Sequence, residues 1–281
     1  MSREDKKRLN ILFPDWQGYG ESMAAHTGAL ALAEALSPRF AFSGIEVSQT
    51  TPLTAKAGVL GLDPNLDMLR SMCNLLEAKQ PDKTFMIGGT CATEIAPVSY
   101  LNKKYKGDLC VLWFDAHGDL NTPASSPSGH LHGMPLRTLL GEGHPEVLEQ
   151  AFSTLQPDQV ILVGTRDLDP AENTFIEENN LLLLPPQELS AAGRLTDAIA
   201  ARNYNHVYVH LDLDILNPAE FPSLLVPTTG GISVAMLKKL LYSITKTCDI
   251  AGFSVVEYVL RRRDDIGIVE SLVEIVLDQD A

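Results

Sequence analysis

Short apolar runs recur along this chain at residues 10–13, 42–47, 84–87, 109–114, 159–163, 181–184, 206–211 and 250–256. They are rich in Val, Ile, Leu and Phe and show no polar alternation, so each reads as a strand with both faces covered. Helix-like segments lie between them, at 22–36, 65–78, 91–104, 145–155, 190–201, 234–245 and 266–277. Asp264 and Asp265 stand just before the last of these as cap residues. Strands alternating with helices predict βαβ units and a parallel sheet. No repeat, low-complexity tract or Pro/Gly-rich linker divides the 281 residues, which predicts a single α/β domain over 1–281.

Polar residues interrupt this pattern at the carboxyl ends of strands, where open α/β sheets place their sites. The run VLWF ends in Asp115, His117, Asp119 and Asn121, spaced two apart. If the extended path continues past Phe114, period-two geometry turns all four side chains to one face, although Gly118 permits a turn. Three of the four are metal-ligand types. The strand VYVHLDLD repeats the spacing with Asp212 and Asp214. Carboxylates paired at buried strand ends need compensation, and a shared cation supplies it. Five ligands suffice for two divalent metals if a carboxylate or two bridge them.

Composition narrows the setting. A hydrophobic fraction of 45% supports a large core, and no run approaches the roughly 18 apolar residues of a membrane span. The charged amino terminus, MSREDKKRL, lacks the pattern of a secretory signal, so the expected compartment is the cytoplasm. Cys73, Cys91, Cys110 and Cys248 are scattered, without a CxxC pair. A net charge of −14 argues against nucleic acid as a partner and favours a cationic substrate, although solubility alone accounts for many acidic chains. Met23 replaces the third glycine of a GxGxxG loop, which excludes a dinucleotide fingerprint, and no GxSxG elbow marks a serine hydrolase.

The segments FDAHGDLNTP, SGHLHGMP, RDLDP, LDLD and GFSVVE, in that order, resemble the motif series of the arginase or ureohydrolase superfamily. The resemblance implies a three-layer α/β/α fold with an eight-stranded parallel sheet, two Mn²⁺ ions and hydrolysis of a guanidino or amidino C–N bond. It implies that Asp115 and Asp212 bridge the metals, that His117 and Asp214 complete one site, and that Asp119 serves the other. The remaining ligand falls at Cys91, where the family has histidine. Thiolate suits zinc, iron, cobalt or nickel better than Mn²⁺, so Cys91 either ligates such a metal or leaves a weak site. His132 matches the histidine that shuttles protons to the leaving amine, and Glu257 the acid that grips the guanidinium.

Substrate choice rests on outer residues. Asn121 and Ser128 match positions for an α-carboxylate, Asp169 and Glu172 match positions for an α-amino group, and His130 replaces a usual asparagine. These imply an amino-acid-type substrate releasing urea. Two alternatives stand beside that reading: a catalytically weak homologue kept for binding or regulation, motivated by Cys91, and a hydrolase of another amidine or formimino compound. The family further implies a homo-oligomer, trimer or hexamer. His210 reads as a supporting partner for Asp212 or Asp115, or as a satisfied buried histidine.

Overall fold

The computed structural model describes residues 6–49, 51–190 and 192–278. The elements in chain order are β1 (Arg8–Phe13), α1 (Ala24–Leu36), β2 (Ser43–Gly44), β3 (Ala55–Lys56), β4 (Val59–Leu60), α2 (Leu62–Lys79) and β5 (Lys83–Gly88). After these come α3 (Ile95–Lys104), β6 (Leu109–Phe114), α4 (Pro135–Leu139), α5 (Pro145–Leu148), β7 (Val160–Val163), α6 (Pro170–Glu178) and β8 (Leu182–Leu184). The chain closes with α7 (Ala192–Arg202), β9 (His206–Asp212), α8 (Val234–Thr247), β10 (Asp249–Val256) and α9 (Asp264–Leu277).

Eight strands form one sheet in the order β2-β1-β5-β10-β9-β6-β7-β8, and every pairing in it is parallel. Strands β9 and β10 return late in the chain to fill the gap between β5 and β6. That return makes the carboxyl ends of β5, β10, β9 and β6 neighbours, although they are far apart in sequence. Short strands β3 and β4 form a separate antiparallel ribbon.

Period-two alternation sends β6 side chains into two cores. Leu112 and Phe114 join the layer of α1, α7, α8 and α9, while Val111 and Trp113 join that of α2 and α3. Each is fully buried, and burying such a side chain contributes about 1.5–3 kcal/mol. The uninterrupted apolar runs are thus the strands of a sheet sandwiched between two helical layers, the expected three-layer α/β/α fold.

Several boundaries differ from the sequence expectation. The strand expected at 42–47 contracts to Ser43–Gly44, an edge strand that among the described residues pairs only with β1. The helix expected at 145–155 ends with Leu148, and the segment beyond it turns so that Leu155 N–H bonds Leu139 C=O at 2.8 Å. The helix expected from Cys91 begins with one 3₁₀ turn, Cys91–Glu94, before α3. Elements α4, α6 and the β3–β4 ribbon were outside the apolar pattern because they are short; α6 and the ribbon lie over the surface, whereas α4 is a buried single turn.

Candidate functional site

The extended path does not continue past Phe114. Strand β6 stops there, and Asp119 turns into left-handed backbone with φ of +53°. Asp115 nevertheless groups with Asp119 on one side and with His117 on the other, while Asn121 leaves: its amide donates to Asp169 Oδ2 at 2.8 Å and its oxygen accepts from Ser125 at 2.9 Å. The turn is held from both sides. Arg137 N–H at the start of α4 donates to Asp119 C=O, and Leu120 N–H donates to Glu172 Oε1 at 2.9 Å. Glu172 also accepts from Asp169 N–H, so this buried carboxylate braces the Asp119 loop.

Around this turn, backbone amides orient the carboxylates. His117 N–H donates to Asp115 Oδ1 at 2.6 Å, Asp214 N–H to Asp212 Oδ1 at 2.7 Å, and Ala116 N–H to Asp214 Oδ1 at 2.8 Å. His117 Nδ1 lies 2.9 Å from Asp214 Oδ2 and 3.4 Å from Asp115 Oδ1. Across the sheet end, the Cys91 thiol donates to Asp212 Oδ2 at 3.0 Å and lies 3.9 Å from Asp115 Oδ2.

Glu257 follows β10 and is likewise left-handed, with φ of +61°. Its N–H bonds Gly89 C=O and its C=O accepts from Leu225 N–H, contacts that hold an otherwise unfavourable backbone conformation. Its Oε1 lies 2.7 Å from His132 Nδ1. Burial disfavours the charged imidazole, but the Glu257 carboxylate outweighs it and holds the His132 pKa above the ordinary 6.5. Tyr19 packs edge-on against both His130 and His132, with centroids 5.4 and 5.3 Å apart. His130 also lies 3.5 Å from Glu21, and Ser128 is exposed.

The electrostatics of the cluster are unbalanced. Burial, then Asp115 and Glu257, push the Asp119 carboxyl far above its ordinary range. Burial, then Asp214 and Glu257, do the same to Asp212, and Asp214 rises to about 6 through burial and Asp115. Asp115 is the exception: burial raises it, but His117 and His210 prevail and hold it below the carboxylate range. Cys91 is pushed well up by burial and the surrounding acids. Among the described residues, Asp119 Oδ2 is buried without a hydrogen-bond partner, and Asp214 Oδ2 has His117 Nδ1 beside it at 2.9 Å. An orphaned carboxylate oxygen among like charges is the signature of missing positive charge.

The ligand atoms fit that need. Cys91, Asp115, Asp119 and His210 each offer an atom within 4.8 Å of the others, as do Asp115, His117 and Asp214, and Cys91, Asp212 and Glu257. The sequence model of the arginase family matches residues 40–261. The chain belongs to the arginase family. An arginase of Staphylococcus aureus is 35% identical over 184 residues, covering 63% of this chain and 61% of the relative. The chain therefore spans less than two thirds of that relative's length in sequence alignment. In three dimensions the likeness extends further. Entamoeba histolytica arginase, solved with L-ornithine, superposes with a TM-score of 0.87 at 20% identity, covering 96% of this chain and 98% of that one. Bacillus subtilis arginase gives 0.84 at 25% identity, with 97% and 98% covered.

Sequence reasoning missed three contributors to this arginase-family site. Asp15, just after β1, is buried and accepts from Thr90 N–H at 2.7 Å, Thr90 Oγ1 at 2.7 Å and Gly18 N–H at 3.3 Å, fixing the segment that carries Cys91. A Cβ on Gly89 would lie 1.9 Å from the Asp15 carbonyl oxygen, so the approach requires glycine. Glu94 is fully buried, although an acid in a first helical turn ordinarily reads as a solvated complement to the helix dipole. Tyr19 had no motif around it. Only the Gly18–Gly20 pair hinted that its loop turns sharply.

Proposed function

We propose that this protein is a two-metal hydrolase that cleaves a guanidino or amidino C–N bond of a small amino-acid-type substrate, releasing urea from a guanidino compound. The observation carrying this reading is the His132–Glu257 pair at 2.7 Å, set beside a ring of buried acids in which Asp119 Oδ2 is orphaned. Asp115 and Asp212 would bridge the ions, with His117 and Asp214 completing one position and Cys91 and Asp119 serving the other. Two bound divalent ions would supply an ionised water at neutral pH and neutralise developing charge on the substrate.

The chain's own residues account for the rest. Glu257 offers its carboxylate to the planar cation, a geometry suited to paired N–H donors. Its left-handed backbone is held by Gly89 and Leu225, so the carboxylate keeps its place before substrate arrives. With Nδ1 held by Glu257, His132 would use Nε2 to take the proton that the attacking water gives up and to pass it to the leaving nitrogen. Exposed Ser128 and the linked pair Asn121–Asp169 present polar groups to the amino-acid end.

The test is a substrate panel with protein loaded separately with Mn²⁺, Zn²⁺, Fe²⁺ and Co²⁺. Urea from L-arginine, and none from its decarboxylated analogue, supports the reading. Release of neither urea nor ammonia from any guanidino, amidino or formimino compound overturns it.

A further inference from the structure

Below the carboxylates, one fully buried imidazole has no role in the chemistry above. His210 sits on β9 two residues before Asp212, with 0% exposure. Its ring stacks on Trp113, with centroids 3.7 Å apart and planes 26° apart. Nδ1 lies 3.1 Å from Glu94 Oε1 and Nε2 lies 3.6 Å from Asp115 Oδ2. These are charge contacts rather than directed bonds, because among the described residues neither ring nitrogen nor Glu94 Oε1 has a hydrogen-bond partner. The second Glu94 oxygen accepts from Tyr208 Oη at 2.6 Å. Tyr208 reaches it across Gly252, where a Cβ would lie 2.2 Å from the ring.

We infer that His210 is a metal ligand, supplying a ring nitrogen to the ion also held by Cys91, Asp115 and Asp119, with Glu94 holding the ring from behind. The inference rests on the two-metal reading above and adds to it a donor from the sheet itself. Zinc bonds of about 2.0–2.3 Å place tetrahedral donor atoms about 3–4 Å apart. The spacings here are 3.6 Å from His210 to Asp115 and 3.9 Å from Cys91 to Asp115. A carboxylate behind a ligating imidazole fixes its orientation and raises its basicity, which is the place Glu94 occupies. The resulting set of one sulfur, one nitrogen and carboxylate oxygens favours zinc or ferrous iron over manganese. In this chain the nitrogen lost from the loop at Cys91 returns from the strand.

The experiment strips the full-length protein with a chelator and titrates Zn²⁺ and Mn²⁺ against a chromophoric competitor. X-ray absorption at the zinc edge then counts sulfur and imidazole donors. Wild type is expected to bind two zinc ions, one at least tenfold tighter than the corresponding Mn²⁺, with one sulfur and two imidazoles in the pair. His210→Ala should weaken one zinc equivalent at least 100-fold and leave the His117–Asp214 equivalent as an internal measure of folding. Glu94→Gln, a smaller change, should weaken the same equivalent about 10–100-fold. A single imidazole in the wild-type zinc spectrum overturns the inference, whatever the variants do. So do two unchanged equivalents in His210→Ala, which would make His210 a charged partner of Asp115 and Glu94. If wild type binds no metal, the two-metal reading falls with it, whereas two ions bound without His210 leave that reading intact.

Discussion

Glu257 Oε1 lies 2.7 Å from His132 Nδ1, joining a residue at the end of β10 to one in the loop before α4. Neither residue is near the other in sequence, and neither belongs to the Asp/His strand-end motifs. Substitution of either should remove both cation binding and proton transfer, because Glu257 orients the ring it is bonded to. His132→Ala and Glu257→Gln are each expected to lower kcat/KM by about 10²–10⁴-fold, with the double variant far from additive. Additive losses in steady-state kinetics would show that the two act independently.

Asp119 is a stability liability without metal. Its folded carboxyl titrates above the unfolded value, so its favourable contribution is present at low pH and lost as pH rises through the folded value. Asn tolerates left-handed backbone as Asp does, so Asp119→Asn keeps the turn while removing the charge. The chelated variant should melt higher than chelated wild type at pH 8 and no higher at pH 4. Metal should then stabilise it less than wild type, since one ligand is weakened. Thermal melts with and without chelator at the two pH values check both statements.

Asp15 anchors Thr90 and, through it, the placement of Cys91. Burial pushes its carboxyl to about 7 against the three hydrogen bonds that favour its charged form. Its contribution is fully present below the unfolded value and fades as pH rises through about 7. Asp15→Ala leaves buried donors without a partner and should cost about 3 kcal/mol at pH 5, read by urea unfolding. A loss below 0.5 kcal/mol would dismiss the anchoring role. The same variant should weaken zinc binding at the Cys91 side of the site.

Gly28 on α1 lets the helix touch the loop that follows Glu257. A Cβ there would lie 1.9 Å from the Tyr258 carbonyl oxygen, a backbone atom with little freedom to retreat. Gly28→Ala should destabilise by about 2–3 kcal/mol despite alanine's better helix propensity, the overpacking cost outweighing a gain of about 1 kcal/mol. It should also raise KM, because Tyr258 adjoins the residue assigned to the substrate cation. A neutral or stabilising effect in chemical denaturation would contradict this packing.

The strands were legible because the sheet is covered on both faces, so burial stamped each as an apolar run. The two acidic strand ends were legible for the opposite reason, since charge placed there stands out against that background. Helix ends and short surface elements were less clear, as with the segment after Leu148, because local turns set them without a long hydrophobic period. Asn121 shows the limit of period-two reasoning. Once Asp119 turned left-handed, the residues beyond it answered to α6 rather than to the strand.

The sequence by itself determined the α/β architecture, the residues of metal-ligand type at two strand ends and the anomaly at Cys91, all of which are local in chain order. Only the tertiary structure decided which strands are neighbours, because β9 and β10 insert between β5 and β6. That insertion sets His210 against Glu94 and Asp115, brings Cys91 to Asp212, and seats Glu257 beside His132. Contacts of this kind are made between residues 95 to 125 positions apart, and no spacing along the chain encodes them.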